Sequence, residues 1–96
     1  MLTHVVCWKY KAEVSAETRD EHRAMLRSLK QIIPEVIDLK VGADVLHLDR
    51  SFDTALVATY ENLADLETYN AHPEHQKVVA FGREISEKVV SVDFTE

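Results

Sequence analysis

The chain is poor in cysteine, glycine and proline, with one Cys, two Gly and two Pro in 96 residues. A lone Cys7 cannot close an intrachain disulfide, which excludes a stapled secreted domain. So little Gly and Pro argues against disorder and long loops. No apolar run approaches the length of a membrane span, so no membrane partner is expected. Met1-Leu2-Thr3-His4 leads straight into a strand-like segment without the layout of a signal peptide, and the expected location is cytoplasmic. Positive charge is also scarce: 11 Lys and Arg against 17 Asp and Glu leave a net charge of −6. An acidic surface repels phosphate backbones and no basic stripe interrupts it, so nucleic acid is not an expected partner either. The chain has neither a Gly-rich phosphate loop nor a nucleophile elbow.

What is present fits one domain spanning residues 1–96. Residues 3–11 are β-branched and aromatic, and alternation puts His4, Val6, Trp8 and Tyr10 on one face of a strand. Val5 and Cys7 fall on the other, also apolar, so that strand needs cover on both sides. Ser15 is an N-cap for a helix whose stripe is His22, Met25, Leu26, Leu29, Ile32 and Ile33, stopped by Pro34. Residues 36–46 read as a second strand with a bulge at Gly42, and residues 52–61 as a third, paired with it as a hairpin. Asn62 caps a short helix to about Asn70, and Pro73 opens another through Val78, Val79 and Phe81 toward Ile85. Residues 88–95 make a last strand.

The order β-α-β-β-α-β predicts an α+β, ferredoxin-like fold with a four-stranded antiparallel sheet and both helical layers on one face. The other sheet face has no cover within the chain. A second copy of the same sheet is the simplest cover, so the expected partner is the chain itself, as a homodimer.

Three stretches resemble one family in content and order. These are Thr3-His4-Val5-Val6 with Trp8-Lys9-Tyr10-Lys11, then Thr68-Tyr69-Asn70-Ala71-His72-Pro73-Glu74-His75-Gln76, then Ser91-Val92-Asp93-Phe94. Together they are similar to the stress-responsive dimeric α/β-barrel (Dabb) domains. The resemblance implies two sheets closed into a dimeric barrel. One branch, the plant polyketide cyclases, works without metal or cofactor through a Tyr and a His, at positions matched here by Tyr69 and His75. A further pocket His is matched by His4. Departures are Thr54, where those cyclases carry another pocket His, and His22, Arg23 and Leu26 on the first helix, where they carry bulky aromatics.

Residue chemistry allows several readings. His75, in the first turn of its helix, is disfavoured as a cation by the helix dipole and is then a neutral general base. Tyr69 is placed to hold or protonate an enolate oxygen, with His4 assisting. Alternatively His72 is a helix cap, His75 satisfies a local hydrogen bond and Tyr69 only packs. Between sheet and helices, Val6, Trp8, Leu26, Leu56 and Phe81 line the expected space for a small apolar ligand, which competes with the reading of a filled core. No metal site is expected, because His4, His72 and His75 do not supply a full ligand set, and no cofactor is implied. The candidate functions are therefore binding of a small apolar molecule, cofactor-independent cyclase- or lyase-like acid–base chemistry, and a non-catalytic stress-response or structural role.

Overall fold

The structure, a computed structural model, describes residues 1–96. Its elements are β1 (Leu2–Tyr10), α1 (Ala16–Ile32), β2 (Asp38–Ala43), β3 (Thr54–Tyr60), α2 (Leu63–Ala71), α3 (Pro73–Ile85) and β4 (Ser86–Phe94). The strands form one antiparallel sheet in the order β2-β3-β1-β4, which is the ferredoxin-like arrangement the element order predicts. No helix is long and apolar enough to cross a membrane.

Local chemistry sets the helix ends. The Ser15 hydroxyl accepts from Thr18 N at 3.1 Å and starts α1. Asn62 does the same for α2 through Asp65 N at 2.9 Å. His72 stands between α2 and α3 and accepts from Glu74 N at 3.1 Å, so it is a cap. Each bond satisfies one of the amide donors that a helix start leaves without a partner.

The strand bounds differ from the sequence expectation: β2 starts at Asp38 rather than 36, β3 at Thr54 rather than 52 and β4 at Ser86 rather than 88. β2 ends at Ala43, and Val45 and Leu46 are exposed. The Asp44 carboxylate accepts from His47 N at 2.7 Å, and His47 adopts a left-handed φ of 54°, so local turn bonds win over strand propensity there. Gly42 is not a bulge either: the β2–β3 register runs unbroken from Asp38↔Thr59 to Ala43↔Thr54, and the irregularity lies between β1 and β4 at Lys9/Tyr10.

The core sits between the helices and one sheet face, around Tyr10, Leu26, Leu29, Ile33, Leu56, Tyr60 and Tyr69. His22 is fully buried within it. Its Nδ1 lies 2.7 Å from the Tyr10 hydroxyl, which donates to Thr54 Oγ1 at 2.9 Å. Arg23 donates to the same Oγ1 at 2.8 Å. α3 passes close over this group at Gly82, where a Cβ would lie 2.8 Å from His22 Nε2. Only a residue without a side chain fits that approach.

Burial, aided by the neighbouring Arg23 charge, lowers the His22 pKa from 6.5 to about 4. Between those values the unfolded chain binds a proton that the folded chain refuses, so stability is complete above the window and is lost as pH falls through it. The expected loss from pH 6.5 to 4 is about 3 kcal/mol, measured by urea unfolding at a series of pH values. A His22→Gln chain should lack that slope whatever its absolute stability. An equal slope in both chains would contradict a neutral buried imidazole.

Candidate functional site

Strand alternation and register assemble one wall of a cavity. On β1, His4, Val6 and Trp8 point toward the helices, and β4 sets Asp93, Ser91 and Val89 directly opposite them. α3 supplies the facing wall. His75, Val79 and Arg83 follow at steps of four along it, hence on one side, with Val78 beside them. Leu26 of α1 and Asn70 of α2 complete a cavity of about 340 Å³, half of whose lining residues are hydrophobic.

His4, Asp93, Asn70 and His75 gather at one end. His4 Nδ1 pairs with the Asp93 carboxylate across the β1–β4 ladder. A carboxylate only accepts, so His4 carries its proton on Nδ1 and its ring is held in place by Asp93. His75 Nδ1 lies 3.2 Å from the Asn70 carbonyl oxygen. A carbonyl also only accepts, so the Nδ1–H donates and the lone pair of neutral His75 is on Nε2. The His75 pKa is lowered, first by burial, then by the neighbouring His4 and His72, against the opposing Asn70 bond. Desolvation is the first cause that disfavours the charged form of this ring.

Tyr69 is fully buried and lies behind His75, its ring centroid 4.2 Å from the imidazole. It is not part of the cavity wall. Burial pushes its pKa up to about 12, so its hydroxyl stays protonated. Tyr60 packs against it at 5.2 Å, and burial raises that hydroxyl's pKa as well.

Of the ligand-lining residues expected from sequence, Val6, Trp8 and Leu26 line the cavity. Leu56 and Phe81 do not. Leu56 belongs to β3, which β1 separates from the cavity, and is sealed in the core. Phe81 sits on the side of α3 that faces His22, with the rings 6.0 Å apart. From α1, Leu26 alone reaches the cavity, because His22 and Arg23 bind Tyr10 and Thr54 instead.

Of the polar lining, sequence reading missed Asp93, Ser91, Asn70 and Arg83. The ferredoxin-like order itself carried a signal for Asp93. It makes β1 and β4 antiparallel neighbours, and period-two alternation separates Ser91 and Asp93 from Val90, Val92 and Phe94. No three His, Cys, Asp or Glu side chains converge. His72 Nδ1 is already occupied by the α3 cap.

Known proteins share this plan over nearly its full length. Olivetolic acid cyclase of Cannabis sativa is 28% identical over 97 residues, covering 96% of this chain and 93% of that protein. The hydroxynitrile lyase of Passiflora edulis superposes with a TM-score of 0.87 at 26% identity, over 97% of this chain and 90% of that one. A dimeric ferredoxin-like protein of unknown function from Thermobifida fusca YX gives a TM-score of 0.89 at 23% identity, over 99% and 90% of the two chains. The sequence matches the family described as Stress responsive A/B Barrel Domain over residues 2–96, and the chain belongs to that Dabb family.

Proposed function

We propose that this protein is a homodimer that binds a small, largely apolar carbonyl compound in the cavity and moves a proton on it without a cofactor, with His75 as general base. The observation that carries this is the placing of His75: it lines a half-apolar cavity with Nδ1 against the Asn70 carbonyl, which leaves the lone pair on Nε2, and burial disfavours its cation. Such a nitrogen is suited to take a proton from a carbon next to a carbonyl. The negative charge then gathers on the carbonyl oxygen. The Asn70 carboxamide and the Ser91 hydroxyl are donors of the lining available to meet it.

His4, fixed by Asp93, assists at the same end. Tyr69 is a positioning residue here, because its ring backs the imidazole and restricts its rotation. A relative that is a cyclase and a neighbour that is a lyase support a carbon-centred reaction. Support for the homodimer is the uncovered sheet face, with Val57, Val90, Val92 and Phe94 exposed, and the dimeric description of similar structures.

The test is proton exchange into a simple probe. In deuterated buffer, the protein should accelerate loss of the C3 proton signal of 2,4-octanedione, followed by NMR, above the buffer-catalysed rate. The acceleration should saturate with dione concentration. Exchange no faster than in buffer alone would overturn the proton-transfer reading.

A further inference from the structure

Resting on that reading of the cavity, we infer that its ligand is a carboxylic acid with an apolar body, whose carboxylate is held by Arg83 at the end of the cavity away from His75. The two residues are eight positions apart on one side of α3, a rise of about 12 Å. The strand wall orders the two ends in the same way. His4 faces the His75 end, since both rings pack against Tyr69, at 6.2 and 4.2 Å between centroids. Trp8 faces the Arg83 end, since its indole nitrogen lies beside Gly82. Between them run Val6, Val78 and Val79, with the Ser91 hydroxyl opposite Val6. The cavity is therefore a trough with an acid–base end, a middle that is apolar but for Ser91, and a cationic end.

Arg83 is set apart from the other helical arginines. Arg19, Arg23 and Arg27 each hydrogen-bond to a carbonyl or side chain of their own chain. Arg83 has no such bond and no ion pair. Asp93, the carboxylate of the lining, is engaged by His4. In a chain of net charge −6, a free guanidinium at the rim of an apolar trough is a local attraction for an anion. Its planar fork matches a carboxylate through two parallel N–H···O bonds.

Trp8, the one tryptophan of the chain, lines the trough and reports on binding by its fluorescence. The probes are sodium octanoate, 1-octanol and octyl phosphate, which share one tail and differ in the head group. Octanoate should bind roughly tenfold to a hundredfold more tightly than octanol. Arg83→Gln should bring octanoate down to the octanol affinity and leave octanol unchanged, and Arg83→Lys should recover part of the loss. Arg83 is exposed, so these variants keep the core intact. Equal affinity for octanoate and octanol, equal loss of both in Arg83→Gln, or no saturable binding would each overturn the inference. Tighter binding of octyl phosphate than of octanoate would reassign the site to phosphate monoesters and overturn the carboxylate. The readout needs no turnover. An Arg83-dependent preference in a protein that exchanges no dione proton would sink the proton-transfer reading alone.

Discussion

Replacing His75 by glutamine is expected to lower the exchange of 2,4-octanedione by about 10²–10⁴-fold while leaving its affinity nearly unchanged. The carboxamide of Gln can still donate to the Asn70 carbonyl, so the local bond that His75 makes has a substitute. What it lacks is a basic lone pair. The pH profile of the native protein adds a second check. The base must be unprotonated, so the rate is flat above its pKa and falls as pH drops through it. Burial lowers that pKa below the ordinary imidazole value of 6.5, so the rate should hold through pH 6.5 and fall only at more acid pH. A midpoint above 6.5, or exchange undiminished in His75→Gln, would move the base to another group of the lining, with Asp93 first to be tested as Asp93→Asn.

The second large effect concerns assembly. Val92→Glu is expected to turn the proposed homodimer into monomers of 11.0 kDa. Val92 is on the sheet face away from the helices, opposite Val5, beside Val90 and Phe94. In the single chain Val92 is 55% exposed and Phe94 41%. That exposure makes the variant nearly neutral for the fold of one copy. In an interface with two-fold symmetry the substitution appears twice and sets two carboxylates into the apolar patch of Val57, Val90 and Phe94. Desolvating an unpaired charge costs several kcal/mol, which weakens association by at least about a hundredfold. Native mass spectrometry of both chains at equal concentration reads the result. A native chain that is already monomeric would overturn the homodimer, and a Val92→Glu chain that remains dimeric would place its interface elsewhere.

Much of the fold was legible because its signals are local. The alternation of His4, Val6, Trp8 and Tyr10, the Ser15 cap, the stop at Pro34 and the break at His72-Pro73 each reflect a short-range steric or hydrogen-bonding rule, and each falls at an element boundary or face of the structure. The β2 boundary was illegible for the same reason. A side-chain bond from Asp44 to a backbone amide three residues on outweighs the strand propensity of Val45 and Leu46, and composition does not reveal it.

The candidate site was read less completely, since it depends on contacts distant in sequence. His4 and Asp93 are 89 residues apart and meet only through the β1–β4 register. Leu56 follows the same alternation as Val6 but sits on a strand whose helix-facing side is sealed, so strand order decides which of the two lines a cavity. Phe81 and Arg83 are two residues apart on α3 and so face different directions, which helical geometry alone allows but does not assign. Arg83 gave no signal as a lone basic residue in a last helical turn, where a cation is favoured by the helix dipole in any case.

The most direct test of the central claim is ¹⁵N–¹H NMR of the histidine side chains at neutral pH. His75 should be uncharged, with its proton on Nδ1 and a free Nε2 whose resonance shifts when 2,4-octanedione is added. A proton on Nε2, a doubly protonated ring, or an Nε2 resonance indifferent to the dione would contradict His75 as the cavity's base.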